Sequence, residues 1–260
     1  MQGKPKLDTS KRFGFEWDRY RDFFPHYEKQ FLGGIQPLTS SDFEGKDVLD
    51  AGCGMGRNSY WAAKYGARSI LAVDYSELAL ASARETLAGL PGTRVERFSL
   101  YDLPHQQHFD LCFSIGVIHH LEHPRLAVEK LLQTLRPGGK LVVWLYGYEG
   151  NELYLRFFRP LHPLLRRLPP ALVHTLAYLA SAPLFLGLKL PVAKSEYLDL
   201  VRHFPFRHLH KIVFDQLLPD IAHYYRRHEV EALFAGLDWA KLEIHHNRGY
   251  SWTVIGEKES

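Results

Sequence analysis

The segment from Val48 to Asn58 restricts the fold of this chain more than any other, because an apolar strand there runs straight into a turn with glycine at every second position. Gly52, Gly54 and Gly56 carry no Cβ, so the backbone can take positive φ and approach a bound molecule closely. The turn then opens a helix at Arg57. Strand, glycine turn and helix together describe a nucleotide-cofactor loop in an α/β protein. The dinucleotide spacing G-x-G-x-x-G is not met, since Arg57 stands where continued glycine spacing would matter and the pattern is D-x-G-x-G-x-G. A purely structural turn before a helix is the competing reading of this loop taken alone.

Four further segments follow in order. Ser69 to Asp74 is an apolar, β-branched strand of the kind buried on both faces of a parallel sheet, and it ends in a carboxylate about 20 residues after the glycine loop, where an acid can accept two ribose hydroxyls. Arg94 to Phe98 reads as a short strand entering a loop that holds Tyr101, Asp102 and Leu103. Phe109 to Leu121 reads as a fourth strand and the segment after it, with His119 and His120 following the strand. Leu135 to Trp144 reads as a helix end, a Pro-Gly-Gly turn and a fifth strand.

In this order and spacing the five segments resemble the class I S-adenosylmethionine (SAM) dependent methyltransferases, closest in flavour to the small-molecule enzymes of ubiquinone and menaquinone biosynthesis. The resemblance is tight over residues 45–146 and loose in the C-terminal part. It implies an α/β, Rossmann-like, seven-stranded sheet with the last strand antiparallel, and SAM as cofactor with S-adenosylhomocysteine as product. Asp50, Gly52, Cys53, Gly54 and Gly56 would then form the loop beneath the methionine tail and ribose, and Asp74 would take the ribose hydroxyls. Tyr75 would lie against adenine, Asp102 would take its amino group, and Tyr101, Leu103 and Ile115 would line the same cleft. The phrase Phe13-Gly14-Phe15-Glu16-Trp17 resembles one found in bacterial members tied to natural-product or surface-polysaccharide pathways.

The organisation expected is an arm and aromatic helical lid at 1–44, the cofactor core at 45–146, a helical insertion at 147–226, and a helix with two strands at 227–260 that complete the sheet. Aromatic residues at helical spacing from Phe13 to Tyr27 make either plain core or a lid, with Trp17 and Tyr20 facing the sulfonium through cation–π attraction. Helices are expected over Arg57–Tyr65, Ser76–Leu87 and Pro124–Leu135, with Ser76 as N-cap and Pro124 in a first turn. In the insertion, Ala171 to Leu188 has no acid, lysine or arginine and reaches the lower length limit of a membrane span. Pro183 interrupts it, so a lid over the active site ranks first, a peripheral membrane contact through 156–190 second and a true span a distant third. Each of these favours a greasy acceptor.

His119 and His120, at the mouth of the crevice, are the candidate bases because imidazole titrates near neutral pH; ordering of the loop is the alternative. Tyr224, between His223 and Tyr225, reads as a surface loop or as an acceptor contact. Histidines 203, 208, 210, 223 and 228 match no zinc spacing, so no metal is expected. A formal charge of +3 is too mild to require nucleic acid, and no aromatic-basic RNA module is present, which makes a nucleic-acid substrate the lesser reading. Cys53 and Cys112, placed on different strands, suit reduced thiols, and the polar N-terminus lacks a secretory run, so the expected location is cytoplasmic. The reading is methyl transfer to oxygen of a small or lipid-like acceptor. Its rivals are a carbon or nitrogen methyltransferase acting on a quinone-like, sugar or amine compound, a non-catalytic SAM-binding or membrane-docking module, and an NAD-dependent oxidoreductase. Oligomeric state is left open.

Overall fold

A computed structural model of the chain describes residues 26–157, 159–165, 168–189, 202, 205–217 and 222–259. Trp17 and Tyr20 lie outside these residues. The elements, in chain order, are α1 (His26–Ile35), β1 (Asp47–Ala51), α2 (Arg57–Lys64), β2 (Ser69–Asp74), α3 (Glu77–Thr86), β3 (Thr93–Arg97), β4 (Phe109–Ile115), α4 (Pro124–Thr134) and β5 (Leu135–Tyr146). They continue with α5 (Glu152–Phe157), α6 (His162–Leu165), α7 (Pro170–Leu188), α8 (Phe206–Leu217), α9 (Arg227–Phe234), β6 (Trp239–Asn247) and β7 (Ser251–Lys258).

The strands form one seven-stranded sheet in the order β3-β2-β1-β4-β5-β7-β6. All pairings from β3 to β5 are parallel, while β7 runs antiparallel to both β5 and β6, as the resemblance implied. β1 is buried at every position because helices cover both faces of the sheet. Side-chain alternation sorts the strand residues. Leu49, Leu71, Val73 and Val143 join Val128 and Leu131 of α4 and Val230 and Phe234 of α9 in one core. Val48, Ile70, Phe113 and Val142 join Phe31 and Ile35 of α1 and Ala62 of α2 on the other face. α3 adds Leu80 and Ala83 against Ala72.

Local signals account for the helix starts. The Ser76 hydroxyl accepts from the Ala79 amide at 3.4 Å, and Pro124 occupies the first turn of α4. The Pro-Gly-Gly segment is not a separate turn. It lies inside β5, where Leu135 pairs with Phe109 and Lys140 with Leu111, and Gly138 at φ +72° absorbs the register shift as a bulge. Pro183 does not interrupt α7 either. It sits on the exposed side of that helix, where a lost backbone hydrogen bond and a tilted carbonyl can face outward. Cys53 lies in the loop after β1 rather than on a strand, and both cysteines are buried and unpaired with each other.

The end of the sheet away from the glycine loop is tied by charge. Asp47 of β1 accepts from Arg68 Nε at 2.9 Å, from Arg136 Nη2 at 2.9 Å and from the Ser69 hydroxyl at 2.7 Å. Asp110 of β4 accepts from Arg136 Nη1 at 2.8 Å and from the Asp47 amide at 2.8 Å. The Arg68 guanidinium, more than Arg136, holds the Asp47 carboxyl well below the usual carboxylate range. A depressed carboxylate pKa contributes stability that is present above the unfolded value and lost as pH falls through the folded one. Asp47→Ala should therefore lower the unfolding free energy by about 1–2 kcal/mol at neutral pH, discounted because Arg68 is largely exposed. Urea denaturation across a pH series checks this, and the difference from the parent chain should shrink only in acid.

Candidate cofactor and acceptor site

The strand order reverses between β1 and β4, and open parallel sheets leave a crevice at such a point, outside the strand carboxyl ends. The glycine loop closes onto it in a fixed shape. Gly52, Gly54 and Gly56 take φ of +87°, +52° and +80°, which side chains other than glycine rarely adopt. The amides of Gly52 and Cys53 both donate to the Val73 carbonyl, at 2.8 and 2.9 Å. A Cβ on Gly52 would meet Val117, in the segment after β4, at 2.4 Å, so the two loops that flank the crevice abut through that glycine.

Asp74 and Asp50 stand at the loop's two sides. Asp74 Oδ2 accepts from the Gly54 amide at 3.0 Å and Oδ1 from the Ser76 amide at 2.9 Å. Each carboxylate oxygen has two acceptor sites, so this arrangement leaves capacity for two further donors. Asp50 is buried and accepts from the Ser59 hydroxyl at 2.6 Å. Burial, with the Asp74 charge adding to it and Ser59 opposing, pushes the Asp50 carboxyl up to about 7. Tyr75 is 54% exposed at the tip of β2, with the Arg97 guanidinium 4.9 Å from its ring centroid. Tyr101 is half-buried and its hydroxyl accepts from the His123 amide at 3.1 Å; Asp102 is exposed and Leu103 and Ile115 are half-buried. Asp50, Asp74 and the three glycines are thus brought together, while Tyr101, Asp102 and Leu103 belong to the loop after β3.

Beside this loop, across the ends of β4 and β5, the structure gathers aromatic rings. His119 lies 3.9 Å from the Tyr146 ring, 4.3 Å from His120 and 5.9 Å from Trp144, centroid to centroid. Tyr224 stacks on Tyr146 at 5.1 Å with 20° between planes, and Tyr154 of α5 lies 5.9 Å from Tyr224. His119 does not stand at the crevice mouth. It is 0% exposed, and burial drives its pKa well below the ordinary histidine value, so the ring is neutral. His120 is half-buried. Burial raises the Tyr224 phenol far above its usual range and pushes Tyr154 up to about 12, so both stay protonated.

The segment with Tyr224 is not a surface loop. The His223 amide donates to the His119 carbonyl at 2.9 Å, and Tyr225 exchanges backbone hydrogen bonds with Tyr146 and Tyr148. This extra strand-like pairing carries Tyr224 into the ring stack. Of the clustered histidines, His208 faces Tyr27, its Nδ1 3.3 Å from the phenol, and His210 faces Ser181 at 3.3 Å. Tyr27 of α1 also lies under the Arg57 guanidinium at 4.1 Å, so α8 reaches the glycine loop through one tyrosine. Trp144, Tyr146, Tyr154 and the Tyr27–His208 contact were not visible as site residues from the sequence. The aromatic end of β5, Trp-Leu-Tyr-Gly-Tyr, was the available signal, because strand carboxyl ends face the crevice.

Comparison with known proteins gives a domain match and a set of relatives. Residues 49–143 match the family described as methyltransferase domain. A tRNA U34 carboxymethyltransferase of Pseudoalteromonas translucida (strain TAC 125) is 33% identical over 149 residues, covering 56% of this chain and 41% of that protein. The enzyme of the same name from Idiomarina loihiensis is 29% identical over 151 residues, 56% of this chain and 42% of its own. The chain thus spans less than half the length of these curated relatives. Among solved structures, a SAM-dependent methyltransferase from Aquifex aeolicus aligns over 97% of this chain and 100% of its own, at 17% identity and TM-score 0.52. A DhpI–SAH complex aligns over 96% and 95%, at 14% identity and TM-score 0.61. With the strand order, the antiparallel last strand and the glycine loop already in place, residues 49–143 match a methyltransferase domain and the chain has the fold of the class I SAM-dependent methyltransferases.

Proposed function

We propose that the chain transfers a methyl group from SAM to a small or lipid-like acceptor, with oxygen as the target atom. The observation that carries this reading is the junction of two half-sites at the switch point: a positive-φ glycine loop closed by Asp74, and a wall of neutral aromatic rings immediately across β4 and β5. The loop suits an adenosyl amino acid. Asp74 has acceptor capacity for a pair of ribose hydroxyls, the loop backbone is bare beneath the tail, and Asp50 sets a negative charge near a cationic ligand. Exposed Tyr75 and Asp102 are placed in the loops that would meet adenine.

When bound, SAM supplies a methyl group on a positively charged sulfur that an acceptor nucleophile displaces in line. The residues of this chain align the partners, which can remove a large share of such a barrier. Tyr146 and Tyr224 present ring faces and hydroxyls that hold an acceptor, and Tyr154 supports Tyr224. His120 is the group of the histidine pair positioned to take a proton, with neutral His119 packed behind it. Trp17 and Tyr20, in the N-terminal segment, remain proposed as cover for the cofactor. The insertion serves as a roof: α8 meets the glycine loop at Tyr27 and α5 meets the ring wall at Tyr154.

The relatives' names favour a second reading, a tRNA acceptor, but the similarity to them covers little more than half of this chain. Incubation with methyl-labelled SAM and separated RNA, protein, lipid and small-metabolite pools decides between them. Label is expected in the lipid or small-metabolite pool. Label confined to tRNA would overturn the acceptor class and leave the methyl transfer standing.

Three variants test the site. Asp74→Ala should weaken SAH binding by about 1.5–3 kcal/mol, as a charge-assisted acceptor of two hydroxyls is lost; calorimetry with unchanged affinity would remove the ribose assignment. SAM affinity should rise as pH increases through about 7, because ionised Asp50 attracts the cationic ligand and its protonated form does not. The same raised pKa makes the unliganded fold less stable as pH rises through that window. Asp50→Asn should flatten the affinity profile, and a rise that persists in the variant would assign the titration elsewhere. Tyr224→Ala should lower methyl incorporation about tenfold or more with SAH affinity intact, the expected loss for a stacked, hydrogen-bonded anchor. Equal loss of SAH affinity would place Tyr224 on the cofactor side.

A further inference from the structure

The exposed face of α7 is built unlike the rest of the surface. Leu172, Leu179, Pro183 and Leu186 fall within roughly 60° of one another around the helix, at 100° per residue, and extend over about 21 Å. Leu179 is 75% exposed and Leu186 68%. The flanking positions Thr175 and Ala182 are also exposed, and the Thr175 hydroxyl donates to the Ala171 carbonyl at 3.0 Å. The opposite side of α7, with Val173, Ala177 and Ser181, is buried; Val173 and Ala177 pack with Phe214 of α8, and Ser181 meets His210 of the same helix. A core helix of this composition would be mostly buried, yet only 28% of the window Ala171–Leu188 is.

Charge identifies what this face meets. Between Glu152 and Glu196 the sequence has no acid, and Arg156, Arg159, Arg166, Arg167, Lys189 and Lys194 all fall there. Arg159 and Lys189, which precede and follow α7 in the chain, are both exposed, and the Lys189 ammonium reaches back over the Phe185 ring at 4.8 Å. A second protein chain would need acids to answer these cations around an apolar strip, and this chain's own strip offers none to a copy of itself. An anionic bilayer surface supplies both partners at once, acyl chains for the leucines and headgroup phosphates for the rim. A spanning orientation does not suit the same helix, because its buried side is committed to α8, which carries Arg207, Lys211 and Asp215.

We propose that α7 lies flat on an anionic membrane, with Leu172, Leu179 and Leu186 inserted and Arg159 and Lys189 at the headgroups. This deepens the lipid-like acceptor reading by delivering the crevice to a membrane surface, but docking stands independently of it. The test is flotation of the full chain with vesicles of phosphatidylcholine alone and of phosphatidylcholine mixed with phosphatidylglycerol. The chain should float with the mixed vesicles only, less so as salt rises. Leu179→Glu, at an exposed position that folding does not need, should lower vesicle binding about tenfold or more while SAH affinity and thermal melting stay unchanged. Lys189→Glu should weaken it in the same direction. No flotation with mixed vesicles, or equal flotation of the Leu179 variant, would overturn the proposal. A dimer in solution that Leu179→Glu dissociates, without vesicle binding, would assign the face to a second copy instead. Loss of flotation with methyl transfer to a soluble acceptor intact would separate failure of docking from failure of the enzymatic reading.

Discussion

Everything at the working end of this molecule depends on one backbone closure. The carbonyl of Val73 receives the amides of Gly52 and Cys53, and the neighbouring Asp74 receives the amide of Gly54, so the end of β2 fixes the shape of the turn leaving β1. Such a turn needs positive φ at three alternating positions, and glycine meets that need without strain. Because the donors come from the loop and the acceptors from the strand tip, loop and carboxylate cannot be displaced separately. Val117 then presses on Gly52 and carries the same constraint to the end of β4, where the aromatic wall begins.

The two ends of the sheet divide the work. At one end, Asp47, Asp110, Arg68 and Arg136 neutralise one another and bind β1, the approach to β2, β4 and β5 together. At the other, Asp50 is buried with no cation among its partners, next to a second carboxylate, at a cost in stability that a cationic ligand can relieve. Unbalanced charge gathered at one end, and compensation at the other, is the distribution expected where a rigid sheet supports a binding site.

The sheet was legible because its signals are local. Apolar runs, glycines and capping residues placed the strands closely, with β3 found at Thr93–Arg97 against an expected Arg94–Phe98; the exception is β5, which starts at Leu135, ahead of the Pro-Gly-Gly segment expected to be a turn. What the sequence left unread came from long-range packing. Nothing local reveals that Tyr224 stacks on Tyr146, nearly eighty residues earlier in the chain, or that His119 is sealed by the same rings. Pro183 misled for a related reason: the rule that proline ends a helix holds where the helix has no external support, and α7 is held along its other side by α8. The glycine loop and Asp74 were readable since their chemistry is set by backbone conformation; the acceptor wall was not, since its members come from four separate segments.

The central claim is that the turn around Gly54 and the carboxylate of Asp74 together grip an adenosyl amino acid. A crystal structure of the chain grown with S-adenosylhomocysteine tests it most directly. The account predicts both ribose hydroxyls on Asp74 and the amino-acid tail over Gly52 to Gly54, with the sulfur facing the Tyr146–Tyr224 wall. Electron density for the ligand at any other place, or an empty crevice at saturating ligand, would contradict it.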